Sequence, residues 1–181
     1  MLAADLLVAR AHALLMRGEQ LTLPGDLPAG WSPKQLEPLP ANCNDRVRIP
    51  GMLDGTSFYQ TAMETRVAQG DPSQAGPSAA WFRLTVPIVQ GAPTSPAMRA
   101  AAAADFGNGL GWVLPADRYL FANADLSLHL HREPVGEWIG LVSGTEVDGG
   151  GIGITMSRLY DEMGPIGIAT QTLLLRERAT K

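Results

Sequence analysis

The sequence predicts one α+β domain in which an antiparallel β-sheet wraps around one long central helix. Three observations carry that expectation. Ser95-Pro96 opens an alanine-rich run that reaches Asp105 before a glycine-rich break. Two segments of alternating polarity precede the run, and four alternating segments follow it. The last four are separated by short Gly- and Asp-bearing stretches of hairpin type.

The bulk numbers fit this picture. A chain of 181 residues is of single-domain size and long enough to bury a substantial core. Its hydrophobic content of 45% and charged content of 18% are those of a globular protein. The net charge is −4 and no Lys/Arg block occurs, which argues against a nucleic-acid surface. An anionic ligand would have to be met by local arginines and backbone N–H groups. Cys43 is the only cysteine, which suits a reducing compartment. Its neighbourhood, PANCNDRV, has neither a CxxC partner nor a nearby His, so it does not read as a nucleophile. No apolar run reaches membrane-spanning length. Asp5 and Arg10 interrupt the apolar start where a signal peptide would be continuous, so a cytoplasmic location is the default expectation.

Taken in order, residues 1–17 alternate as a strand would, although a helix fits their composition equally well. Residues 18–55 carry prolines 24, 28, 33, 38, 40 and 50. That density predicts an extended connection between two structural units, with residues 1–17 as the remnant of the first. Residues 56–69 predict a strand, with Phe58, Gln60, Ala62, Glu64 and Arg66 opposite Tyr59, Thr61, Met63, Thr65 and Val67. A second strand is expected over 80–89, with Pro87 marking an edge or an end. Ser95 then reads as N-cap and Pro96 as the first helical residue of a helix over 96–106. Its five alanines, 100–104, make it thin enough for a sheet to curl closely around it. Strands follow over 118–131, 136–147, 151–161 and 166–176.

Three polar positions stand out. Asp105 lies at the C-terminal end of the alanine helix, where the macrodipole disfavours a carboxylate by about 0.3–1 kcal/mol. It is either a functional group or a solvent-facing residue at the helix end. The strand over 118–131 places Tyr119, Phe121, Asn123, Asp125, Ser127, His129 and His131 on one face. Its other face, Leu120, Ala122, Ala124, Leu126, Leu128 and Leu130, is expected on the core. The polar face could line a site or meet solvent, and the HxH pair has no evident third ligand, so no metal is expected. Gln171 sits in the mostly apolar stretch IGIATQTLLLR, either buried with hydrogen-bond partners or at a sheet edge.

The stretch WFRLTVPIVQG…SP…R…ADF…NADLSLHLHREPVGEWIGL…YDEMGPIG…Q resembles the acyl-CoA thioesterase II family, in particular its thioesterase-like actinobacterial members. The resemblance covers about residues 56–178, as the C-terminal member of a pair of hotdog domains. It implies hydrolysis of acyl-CoA to fatty acid and CoA, with an Asp, a Thr or Ser, and a Gln holding the attacking water. By motif these fall on Asp105, Asn123 and Gln171, so an asparagine stands where the family has a hydroxyl. The resemblance implies no metal and no cofactor. It implies acyl-CoA as the ligand, and pairing either with a second copy or with another hotdog domain in place of the missing N-terminal one. A non-catalytic acyl-CoA-binding half is the alternative. Serine-hydrolase chemistry lacks a GxSxG elbow, and hydratase chemistry lacks the Gly-Asp-x-Asn-Pro-x-His loop.

Overall fold

A computed structural model describes residues 2–3, 6–7, 9–26, 34–49 and 57–179. The chain forms two compact units, Met1–Ser32 and Pro33–Lys181. In the first, β1 (Leu2–Ala3) pairs antiparallel with β2 (Leu6–Leu7). Residues 9–26 form neither helix nor strand.

The second unit is built on a sheet in the order β3-β4-β7-β8-β9-β5, with β6 also pairing β9, and every pairing is antiparallel. These strands are β3 (Met63–Gln69), β4 (Ser78–Leu84), β5 (Tyr119–Asn123), β6 (Ser127–Leu130), β7 (Trp138–Val147), β8 (Ile152–Asp161) and β9 (Gly164–Glu177). Each strand turns one set of side chains toward the helices α2 (Pro96–Ala104) and α3 (Gly107–Leu110). Ala80, Phe82, Ile139, Leu141, Leu159 and Ala169 meet Ala100, Ala103, Ala104 and Leu110 in the main core. The hotdog arrangement is thus present. Its central helix, however, runs nine residues, stops at Asp105, and resumes for one short turn.

The helix starts where expected. Ser95 accepts a hydrogen bond from the Met98 N–H at 3.2 Å, with Pro96 at the first helical position. Its alanines let the sheet approach closely, since Ala100 and Ala104 are fully buried.

Three elements differ from the expected ones. Residues 58–62 are not strand but a short helix, α1 (Phe58–Ala62), whose buried face is Tyr59 and Ala62. Five residues of alternation cannot distinguish a strand from an i, i+3 face. The tie is broken by Ser57, whose carbonyl accepts from the Gln60 and Thr61 N–H groups. The strand expected over 80–89 stops at Leu84, because its last partner is Met63 and α1 lies beyond. Val86, Ile88 and Val89 are exposed.

The third difference bears on the site. The segment 118–131 is two strands with a bulge between them. Asn123 pairs Leu173 and Ser127 pairs Thr170, so four steps on one strand match three on the other. Asp125 fills the gap, accepting from the Thr172 N–H at 2.7 Å and facing its hydroxyl at 3.3 Å. The extra residue swaps the faces. Tyr119, Phe121 and Asn123 share the inner face with Leu175 and Leu173, whereas beyond the bulge Leu128 and Leu130 turn inward. Leu120 and Leu126, expected on the core, are exposed, and so are His129 and His131.

Residues 34–49 pack on the sheet. Leu36 and Cys43 join Trp81, Trp138 and Tyr160 in a second cluster on the outer face. The Trp81 indole N–H donates to the Pro38 carbonyl at 2.9 Å, and the Val67 N–H donates to the Asp45 carbonyl at 2.7 Å, along the free edge of β3. Arg66 and Arg83 lie on the Trp138 ring, 4.8 and 5.1 Å from its centre, and both pair with Glu64. Burial alone would raise the Glu64 carboxyl, but the two guanidinium groups outweigh it and hold it below the ordinary range.

At the far end of β8, Asp161 is fully buried and accepts two hydrogen bonds from Arg132 at 2.5 and 2.6 Å. The Val135 and Met163 N–H groups donate to it as well, each at 2.8 Å. Burial pushes this carboxyl up, and Arg132 with the two N–H groups brings it below its ordinary value. A depressed carboxyl adds stability above the unfolded-state pKa, and that stability disappears as pH falls through the folded-state value. Asp161→Ala should lower unfolding stability in urea at pH 7 by about 3 kcal/mol, with a smaller difference between variant and native chain at pH 3. A variant as stable as the native chain at pH 7 would refute the anchoring role.

Candidate active site at the helix break

In a continuous helix the Asp105 carbonyl and the Asn108 N–H would both be bonded within the helix. Here the side chain of Gln171 takes both. Its amide N–H donates to the Asp105 carbonyl at 3.1 Å, and its oxygen accepts from the Asn108 N–H at 3.0 Å. Gln171 is central in the sheet, on β9 between β8 and the β5–β6 edge, and 1% exposed. Of the two readings open for it in the sequence, the buried and hydrogen-bonded one holds.

The break fits because the sheet beneath it is polar and the chain above it meets the sheet through glycines. Ser143 and Ser157 hydroxyls share a hydrogen bond of 2.8 Å, and Thr145 and Thr155 share one of 2.7 Å. A Cβ on Gly107 would stand 2.4 Å from the Ser157 hydroxyl and 2.9 Å from the Gln171 oxygen. A Cβ on Gly111 would meet the Ser143 backbone at 2.8 Å. Two glycines four residues apart therefore let α3 lie flush on β7 and β8.

With the helix stopped there, Asp105 caps α2 and its carboxylate faces a cavity of about 540 Å³. Ile49, Phe106, Asn108, Tyr119, Phe121 and Asn123 line it too, and Arg178 stands at its rim. The Asn123 amide reaches Asp105 Oδ1 at 3.5 Å, and the Asn108 side-chain amide reaches Asn123 Oδ1 at 3.5 Å. The structure thus brings Asp105 and Asn123 together on the cavity wall and sets Gln171 directly behind it. Asn108, buried at 7% exposure, is a fourth member that the sequence reading missed. Its only signal was a lone amide inside the glycine-rich run FGNGLG. Cys43 is remote from this group. Its thiol faces the Leu39 carbonyl at 3.4 Å, and burial pushes it up, away from the reactive thiolate.

Residues 33–175 match the family model described as acyl-CoA thioesterase C-terminal domain. The chain belongs to that family. No curated protein matches it. Among solved structures, the second unit's fold recurs in a protein of Novosphingobium aromaticivorans taken to be a thioesterase (TM-score 0.57, 23% identity, covering 89% of this chain and 58% of that one). It also resembles the acyl-CoA thioesterase II TesB2 of Mycobacterium marinum (TM-score 0.51, 20% identity, 76% and 57% covered). A hot-dog-fold protein of unknown function from Alicyclobacillus acidocaldarius is similar over 94% of this chain and 60% of its own (TM-score 0.51, 12% identity). These likenesses establish the hotdog fold, and the acyl-CoA thioesterase domain here spans less than three fifths of the first two relatives' length. Among the described residues, no helix is long and apolar enough to cross a membrane.

The tight fit at the break is testable. Gly107→Ala should destabilise this thioesterase domain by about 1–3 kcal/mol in urea unfolding, because its methyl group has no space against Ser157 and Gln171. Unchanged stability would show that the break is not held as described.

Proposed function

We propose that the cavity at the helix break hydrolyses acyl-CoA thioesters. The observation that supports this reading is the facing pair Asp105 and Asn123 on the wall of a cavity otherwise lined largely by Ile49, Phe106, Tyr119 and Phe121. In this reading a water sits in the cavity beside the Asp105–Asn123 pair, within hydrogen-bond reach of both side chains. Asp105 takes a proton as the water oxygen attacks the thioester carbon. The tetrahedral intermediate then collapses, the C–S bond breaks, and the CoA sulfur leaves with that proton.

Asn123 replaces the hydroxyl of the family pattern and can both donate to and accept from the water. The Asn108 amide is a donor on the same wall, suited to the developing oxyanion. Gln171 works as a positioning residue, since its amide holds the backbone that carries Asp105 and Asn108. It retains one further N–H and a second lone pair for the water.

The same reading includes a partner. The cavity wall is formed by β5, which lies at an edge of the sheet. We infer that a second copy, or another hotdog domain, closes the site along that edge. With a second copy as the partner, light scattering of the purified chain gives twice the monomer mass; a monomeric particle that turns over acyl-CoA would overturn either pairing.

Asp105→Asn should lower kcat for free-thiol release from acyl-CoA by about 10²–10⁴-fold with little change in melting temperature, since Asp105 is exposed. Turnover equal to the native chain's would remove Asp105 from the mechanism. Saturable acyl-CoA binding without hydrolysis by the native chain would favour the non-catalytic binding half instead.

A further inference from the structure

We infer that Phe121 is the chain-length gauge of this site: its ring separates the Asp105 cavity from an apolar crevice and so sets the longest acyl group accepted. The inference rests on the thioesterase reading for what enters the cavity.

Phe121 is half-buried on the inner face of β5, opposite Leu175. On one side it lines the cavity that holds Asp105 and Asn123. On its other side lies a crevice walled by Trp112, Val113, Leu114, Val147, Leu173 and Leu175, with a free volume of about 10 Å³. That is space for a single water at most. Among the described residues, Phe121 and Asn108 alone line both spaces. Asn108 is tied to Gln171 through its backbone and to Asn123 through its side chain. The ring of Phe121 has no such tether, so it is the side chain whose size decides whether the two spaces join.

The chemistry of the two ends gives the direction. Thr145 is the hydroxyl residue lining the crevice, and its Oγ is already engaged with Thr155 at 2.7 Å. The crevice therefore suits an alkyl chain. The exposed guanidinium of Arg178, held by the Ala116 carbonyl at 2.8 Å, lines the Asp105 cavity, whereas the crevice beyond Phe121 is walled mostly by apolar side chains. A phosphate-bearing group is therefore drawn to Arg178, and the space past Phe121 is left to the alkyl group.

The test uses the full chain and two matched ligand series. S-alkyl-CoA thioethers of increasing length, which contain no cleavable thioester, are titrated by calorimetry; free-thiol release is followed with the corresponding acyl-CoAs. In the native chain, affinity should rise about fourfold per methylene up to a limiting length and then fall. Phe121→Ala should move that limit at least two carbons longer, and Phe121→Trp should move it shorter. Phe121→Leu, a milder truncation, reads the same shift if the alanine variant loses its native circular dichroism. An unmoved limit in folded variants of both larger and smaller side chains would overturn the gauge, even if hydrolysis is robust. A Phe121-dependent limit in thioether binding without any hydrolysis would leave the gauge standing and sink the thioesterase reading. Absence of thioether binding would sink both.

Discussion

The Gln171 amide, inserted where the central helix loses its own ladder, is the contact on which the site depends. A carbonyl and an N–H freed by a helix break inside a protein must find partners, because each buried unpaired group costs roughly 1–3 kcal/mol. One side chain satisfies both and joins the helix to β9. Asp105 then lies at a helix end and faces a cavity, although it directly follows the buried Ala103 and Ala104. Asn108 is placed by the same contact, since its N–H is one of the two groups that Gln171 holds. The polar stripe on the sheet and the glycines at 107 and 111 are the conditions under which the helix can come close enough for this.

The two faces of the sheet are treated differently. The inner face carries the helix and the site. The outer face is covered over β4 and β7 by residues 34–49, whose Leu36 and Cys43 pack with Trp81 and Trp138. Hydrogen bonds from Trp81, Arg66 and Gln69 to carbonyls of Pro38, Pro40 and Glu37 fasten that segment down. Its prolines suit the task, because they supply carbonyl acceptors and no N–H groups that would need partners of their own. Over β8 and β9 the outer face is bare, with Ile152, Ile154, Met156, Ile168 and Leu174 each exposed by 44–51%.

The bulge at Asp125 links the sheet to the cavity. Without the extra residue, a strand that turned Leu128 and Leu130 inward would also turn Leu120 and Ala122 inward, and Phe121 and Asn123 would face away from Asp105. The carboxylate of Asp125 accepts the Thr172 N–H that the interrupted ladder would otherwise leave open. One strand can therefore serve the core with its second half and the site with its first.

The sequence by itself determined what depends on neighbours along the chain. Ser95-Pro96 and the alanines specified a helix start and a helix, and Gly- and Asp-bearing turns specified the hairpins of β7, β8 and β9. The long alternations over 138–147, 152–161 and 164–177 specified those strands to within a few residues. Asp105, Asn123 and Gln171 were legible as polar residues out of place, and the family resemblance grouped them. Only the tertiary structure decided the rest. The five residues of α1 carry a pattern compatible with either period, and the turn closed on the Ser57 carbonyl is held in place by Tyr59, which packs on Phe106 and donates its hydroxyl to the Val47 carbonyl. An unbroken alternation over 118–131 contains no sign of a bulge, because polarity repeats every two residues whether or not the partner strand keeps step. The packing of residues 34–49, the buried partner Asn108 and the position of Phe121 between two spaces all arise from contacts between residues far apart in the chain. Such contacts are set by which face meets which, and that is fixed by register and packing rather than by any local pattern.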